Sequence, residues 1–234
     1  MSASGGGGSV GAPGGGGSVG APRAARSLVV LSAGLRQPSS TRLLADRLTE
    51  AAERSLRDRG SAVDVQVIEL REHAQDVTSM LLTGFASKSL QAALDKVAHA
   101  DGVIAVTPIF SGSFSGLFKN FVDVLEDGAL DGVPVLLGAT AGTARHSLAI
   151  DHALRPLFAY LRALVVPTGV FAATEDFGQV AGSTTDDATP LGVRVDRAAR
   201  ELAGLMASRE PRGAGGPADP FALTVSFEDL LAGQ

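Results

Sequence analysis

The chain has 234 residues, 45% of them apolar and 19% charged, with a formal charge of −5 and an isoelectric point near 5.4. That is enough apolar material for the core of one ordinary domain, and basic residues dispersed among an excess of acids exclude a nucleic-acid-binding surface. The absence of cysteine excludes disulfides, thiolate metal ligands, iron–sulfur ligation and a cysteine nucleophile.

Residues 1–26 are low in complexity, with the string GGGGSVGAP at Gly5 to Pro13 and again, unchanged, at Gly14 to Pro22. Glycine loses the most backbone entropy on ordering and this stretch has almost nothing to bury, so it reads as a disordered leader. A Gly-rich phosphate loop is the functional alternative, but no strand precedes it and no helix follows directly. The N-terminus lacks the basic region and apolar segment of a secretion signal. No stretch approaches the roughly 18 to 20 apolar residues of a membrane span, so a soluble, cytoplasmic protein is expected.

Leu28 to Leu31 form a continuous apolar run of the kind found in a strand covered on both faces. A polar loop, Ser32 to Ser40, leads into a helical stretch in which Leu44, Leu48, Ala52 and Leu56 recur every four residues until Gly60. Val63 to Leu70 reads as a second strand, Val77 to Ala100 as helical segments and Gly102 to Thr107 as a third strand. A helix follows over about Ser115 to Leu125. Val133 to Ala139 then reads as a fourth strand, Ser147 to Ala163 as a helix, Gly169 to Ala173 as a fifth strand and Val193 to Met206 as a last helix. Strands alternating with helices of these lengths imply α/β architecture, a parallel sheet with helices on both faces. One domain over residues 27–210 accounts for nearly everything. Residues 211–234 read as a flexible tail, with a single helical turn at Ser226 to Leu231 that either packs on its own domain or a sister subunit, or recruits a partner enzyme.

In an open parallel sheet the ligand lies at the carboxyl ends of the strands, beside the point where strand order reverses. Three loops leave strand ends there. In the first, Ser32 to Thr41, the hydroxyls of Ser39, Ser40 and Thr41 fall where helix N-terminal amides lack partners, and Arg36 adds a permanent cation; together they suit a phosphate. The bland alternative is an ordinary N-cap beside a solvated arginine. In the second, Thr107 to Gly116, small hydroxylated residues and two glycines let a flat ring approach backbone N–H and C=O groups, with Phe110 beside it. The third, Ala139 to His146, carries Arg145 and His146, which either charge a ligand or sit on the surface at a helix start.

The first loop, with Arg36-x-x-Ser39 and Thr41, is similar to G-S-x-R-x-x-S-x-N. The second, Thr107 to Asp123 (TPIFSGSFSGLFKNFVD), is similar to T-P-E-Y-N-G-S-x-P-G-x-L-K-N-x-x-D over seventeen consecutive positions. Both patterns belong to the NADPH-dependent FMN reductases of the flavodoxin-like superfamily, which the chain resembles from Ser27 to Met206. The likeness is strongest to actinobacterial members that supply luciferase-like monooxygenases. Two departures stand out: Ala33-Gly34 replace Gly-Ser, and Ile109-Phe110-Ser111 replace Glu-Tyr-Asn.

The resemblance implies a flavodoxin-like three-layer sandwich around a five-stranded parallel sheet of order 2-1-3-4-5. It implies that Arg36, Ser39, Ser40 and Thr41 hold the phosphate of FMN, and that Pro108, Ile109, Phe110, Ser111, Gly112 and Ser113 with Thr140, Gly142, Thr143 and Arg145 hold its ring. Arg145 or His146 would place positive charge near the N1 region of a reduced flavin. Hydride would pass from NADPH or NADH to FMN, a step that needs no protein acid or base, so no catalytic residue and no metal ligand are named. No G-x-G-x-x-G follows the first strand, so the pyridine nucleotide is expected to stack on the flavin without a domain of its own. The near rival is an FMN-containing quinone or azo-compound reductase. A rival of another class is a flavodoxin-like electron carrier without NAD(P)H oxidase activity. The four histidines show no i, i+4 pair with a supporting carboxylate, which speaks against a metal hydrolase. A homodimer or higher homo-oligomer is expected by resemblance, with Phe114, Phe118 and Phe121 either meeting the second subunit or packing on the sheet.

Overall fold

The computed structural model describes residues 1–2, 25–178 and 190–212. The Gly-rich repeat and the terminal turn expected at Ser226 to Leu231 lie outside the described residues.

Strand β1 (Arg26–Ser32) is apolar on both sides because both sides are covered. Val29 and Leu31 face one core, Leu28 and Val30 the other. Helix α1 (Ser40–Arg57) buries Leu44, Leu48, Ala52 and Leu56, the four residues whose spacing announced it. Strand β2 (Val63–Glu69) and a short 3-10 turn (Leu70–His73) lead to α2 (Ala74–Thr83) and α3 (Lys88–Ala98). The expected helical stretch is two helices because Gly84, at φ +78°, closes α2 in the left-handed region. Ser87 then caps α3, its hydroxyl accepting from Leu90 N at 3.1 Å.

Strand β3 (Gly102–Phe110) turns back as the two-residue β4 (Ser113–Phe114) and enters α4 (Gly116–Asp123). Strand β5 (Pro134–Ala141) follows, then a 3-10 turn (Ala144–His146), a π turn (Ile150–Leu154) and α5 (Arg155–Tyr160). The regular helix expected over Ser147 to Ala163 is thus shorter, since Pro156 removes the N–H that would have continued the i→i−4 ladder. Strands β6 (Leu164–Val165) and β7 (Val170–Ala173), a 3-10 turn (Thr174–Phe177) and α6 (Leu191–Ala207) complete the described elements.

The sheet runs β2-β1-β3-β5, and β6 and β7 share the next edge position, each parallel to β5. By position this is the 2-1-3-4-5 order of a flavodoxin-like α/β fold, with the fifth strand in two pieces and β4 added as an antiparallel return on β3. Helices α1 and α6 close one face; α3, α4 and α5 pack on the other. Phe118, Phe121 and Phe158 are fully buried on that second face, and the rings of Phe118 and Phe158 lie 6.2 Å apart. Burying each such side chain contributes about 1.5–3 kcal/mol. Phe118 and Phe121 therefore pack on the sheet within the protomer, the second of the two readings given for them, and Phe114 is half-buried 6.0 Å from the ring of Phe118. No described helix is long and apolar enough to cross a membrane.

Candidate functional site

The reversal of strand order lies between β1 and β3. From β1 the chain rises to α1 on one face, and from β3 to α4 on the opposite face. The two loops diverge and leave a crevice at the carboxyl ends of the strands.

The first wall is the β1–α1 loop. Ser39 is the N-cap of α1, extended at φ −127° and ψ 120°, and its hydroxyl accepts from Arg42 N at 3.2 Å. That bond satisfies the third helical amide. The amides of Ser40 and Thr41, one and two positions into the helix, have no intrahelical acceptor and lie at the positive end of the helix dipole. Gly34 is required by space: a Cβ there would stand 2.1 Å from Ser39 Oγ and 3.4 Å from Thr41 Cβ. The loop is thus folded so that residue 34 touches the first turn of the helix. Arg36 is exposed and makes no ion pair or hydrogen bond among the described residues. A groove of about 360 Å³ runs beside this loop, between Arg36 to Ser39, Arg42 and the end of β2.

The second wall is the β3–β4 hairpin. Ile109 pairs with Phe114 and Phe110 with Ser113, leaving Ser111 and Gly112 as a two-residue turn with φ +51° and +84°. Both values are positive, as the type I′ hairpin demands. The matching pattern has Asn-Gly here, the pair best suited to that backbone, so the Asn-to-Ser departure is a change of turn chemistry as well as of polarity. At the base, Thr107 is fully buried and its Oγ1 accepts from Ser115 N at 3.1 Å, while Ser115 Oγ caps α4 by accepting from Phe118 N at 3.3 Å. Lys119 and Asp123 pair at 2.6 Å along α4. Thr107 and Ser115 thus hold the base of the hairpin, Lys119 and Asp123 pair along α4, and Phe110, Ser111 and Gly112 are the part left facing outwards. Phe110 is 49% exposed, whereas Ile109 is buried in the core and can offer a ligand only its backbone.

The third wall follows β5. Thr140 lies in register with Pro108. Its Oγ1 is 2.8 Å from Thr41 Oγ1, and both residues are only 2% exposed. This bond joins the first and third loops across ninety-nine positions of sequence. Gly142, Thr143, Arg145 and His146 continue along the exposed rim, and Arg145 has no ion-pair partner among the described residues.

Of the expected site residues, Thr41 and Thr140 meet directly, Ser39 lies against Gly34, and Pro108 is level with Thr140. Arg36, Ser40, Phe110, Ser111, Gly112, Gly142, Thr143 and Arg145 are exposed on the rim, and Ser113 is half-buried beside them. Two features beside them were not legible in advance, the burial of Ser32 and the pairing of Arg42 with Glu69. Ser32, at the end of β1, is fully buried with its hydroxyl unpartnered. Arg42 bonds Asp46 at 2.7 Å and Glu69 at 2.6 Å. Those bonds, to Glu69 first and Asp46 second, hold its guanidinium even more firmly protonated than usual. The i, i+4 spacing of Arg42 and Asp46 was visible in sequence; nothing signalled Glu69.

Open amides at a long helix start, a glycine pressed on the cap, an unpaired rim arginine and a hairpin edge fit a phosphate and a flat ring. Residues 26–178 match the family model described as NADPH-dependent FMN reductase. The chain is 37% identical over 182 residues, 78% of its length and 93% of the relative's, to FMN reductase (NADPH) of Pseudomonas aeruginosa. It is 40% identical over 152 residues, 65% of its length and 80% of the relative's, to NADH-dependent FMN reductase SfnF of Pseudomonas putida. Among solved structures, an oxidoreductase from Corynebacterium diphtheriae superposes with a TM-score of 0.74 at 46% identity, covering 79% of this chain and 98% of that one. The apo form of an NADH:FMN oxidoreductase, EmoB, gives 0.62 at 28% identity, over 83% and 92%. The family match and these relatives, on this fold, define a flavin-using oxidoreductase of the flavodoxin-like class. The chain belongs to the NADPH-dependent FMN reductase family, and its activity is the reduction of FMN by NADPH or NADH.

Proposed function

We propose that the chain binds FMN in the crevice between the β1–α1 loop and the β3–β4 hairpin. The amides of Ser40 and Thr41, the Ser39 hydroxyl and Arg36 take the phosphate; Pro108 to Ser113 and Thr140, Gly142, Thr143 and Arg145 border the ring. The observation that carries this reading is the Thr41–Thr140 bond, which ties the phosphate loop to the ring loop at the switch point.

When bound, FMN supplies the ring position that accepts hydride from the nicotinamide. The chain's own part is to bind and orient. Helix α1 and Arg36 fix one end by charge, and the hairpin backbone presents N–H and C=O groups to the edge of the ring. Arg145 adds a cation at the rim, where negative charge develops on reduction. No side chain is required to move a proton in that step. Thr41 and Thr140 act by holding two loops together, and Ile109 anchors the hairpin from within the core.

The exposed rim favours FMN that exchanges with solution, as a substrate would, and reduced FMN would pass to a luciferase-like monooxygenase in the cytoplasm. A homodimer or higher homo-oligomer is the assembly proposed. The test is to titrate FMN into the purified protein and follow NADPH and NADH consumption by absorbance with free FMN as acceptor. Arg36→Ala should raise the KM for FMN and leave the KM for NAD(P)H in place. Retention of FMN through gel filtration with rapid transfer to quinones would favour the quinone or azo-compound reductase instead. Bound FMN that NADPH fails to reduce would leave the electron carrier.

A further inference from the structure

The phosphate loop is also held from the β2 side, where Arg42, Glu69 and Arg71 line the groove beside Arg36 to Ser39. Arg42 sits in the first turn of α1, one residue past Thr41, and reaches Glu69, the last residue of β2, at 2.6 Å. Glu69 is 12% exposed and also stands 3.9 Å from Arg71 Nε on the 3-10 turn that follows. Arg71 in turn meets the loop. With the Gln37 amide oriented by its hydrogen-bonding surroundings, its oxygen accepts from Arg71 Nη1 at 3.0 Å and from Nη2. The chain of contacts runs Gln37, Arg71, Glu69, Arg42, and so spans both ends of the short segment Arg36 to Thr41.

The Arg42–Glu69 contact is a charged hydrogen bond, which fixes direction as well as distance, and Arg71 stands within ion-pair range of the same carboxylate. Two guanidinium groups converging on one carboxylate need it charged and in place, because without it they repel. Their other partners do not replace it. Asp46 holds Arg42 only along its own helix, and Glu72 is 4.0 Å from Arg71 and exposed.

We propose that Glu69 is a positioning residue for the phosphate loop: it sets the distance between the start of α1 and the Arg36–Ser39 segment without contacting FMN. This rests on the assignment of that loop to the FMN phosphate. Loss of Glu69 lets Arg42 and Arg71 separate, so the loop must be ordered anew by each FMN that binds. The cost therefore falls on FMN affinity, whereas kcat at saturating FMN and the KM for NAD(P)H stay as they are.

The experiment compares full-length Glu69→Gln, Arg36→Ala and Asp196→Asn in FMN affinity, steady-state kinetics and thermal unfolding. Asp196 pairs with Arg54 on the far side of α1 and serves as a charge-loss control. Glu69→Gln is expected to weaken FMN binding about ten-fold, the scale of one charged hydrogen bond, with kcat unchanged and Asp196→Asn silent. If Arg36→Ala weakens FMN binding and Glu69→Gln does not, the positioning role is overturned and the phosphate loop stands. If Arg36→Ala leaves FMN affinity untouched, the loop assignment itself fails and takes the proposal with it. A Glu69→Gln protein that unfolds at lower temperature yet keeps its FMN affinity also overturns the positioning role.

Discussion

The two ends of the sheet treat their polar groups in opposite ways. At the amino ends of the strands, loops are closed by direct bonds. Asp101 accepts from Ser27 N at 2.8 Å and from Arg212 N at 2.6 Å, Arg212 donates to the carbonyl of Ala129 at 3.0 Å, and Arg26 donates to that of Arg209. Burial lowers the proton affinity of Arg212, with the charge of Arg209 adding to the effect. At the carboxyl ends, Arg36, Ser40, Ser111 and Arg145 stand on an exposed rim over a buried Thr41–Thr140 bond. The polar groups named at the amino ends are spent on contacts within the chain, whereas Arg36 and Arg145 at the carboxyl ends make no ion pair among the described residues and are free to meet a ligand.

Asp101→Ala should break that contrast most severely. It strips an acceptor from two backbone amides at the closed end and should cost about 3 kcal/mol in urea unfolding, with FMN affinity retained by the folded fraction. Thr41→Val removes half of a buried hydroxyl pair at the open end. A loss of about 1–2 kcal/mol is expected, accompanied by weaker FMN binding, because both loops are tied there. Equal FMN affinity in Thr41→Val and wild type would mean the tie serves the fold alone. Gly34→Ala drives a methyl into Ser39 Oγ and should sacrifice the cap, about 1 kcal/mol by thermal melting, with a larger fractional effect on FMN binding than on stability. Ser111→Asn should work in the other direction. Asparagine tolerates the left-handed turn better than serine, so a gain of roughly 0.5 kcal/mol is expected; no change would show that the hairpin is set by its strands rather than by its turn.

The central strands were legible because their signals are local, whereas the bonds of the closed end join residues 74 or more positions apart and were not. The runs Leu28 to Leu31, Gly102 to Thr107 and Val133 to Ala139 are apolar on both faces, which only a covered parallel strand needs, and each is a strand of the structure. The edge was harder. The fifth position is split between Leu164–Val165 and Val170–Ala173, each too short to show a period, with Pro167 unable to donate to a ladder between them. Ser-Gly is a weaker hairpin signal than Asn-Gly, so β4 read as loop. At the site, the hydroxyls at the start of α1 and the Thr-Pro segment could be placed from sequence, because capping and turn chemistry act over three or four residues. The Thr41–Thr140 bond and the Arg42–Glu69 pair could not. Each joins residues whose neighbourhood exists only once the strands have paired.

The strand order also has a kinetic consequence. Strands β1 and β3 are each flanked on both sides, and their carboxyl ends form the floor of the crevice, whereas β7 is bonded to β5 alone. In amide hydrogen exchange the floor should therefore open only with global unfolding, while β7 and the rim loops exchange through local opening. The catalyst is in this sense a rigid anvil with a pliant lip: guests can enter and leave repeatedly without disturbing the surface against which they are aligned.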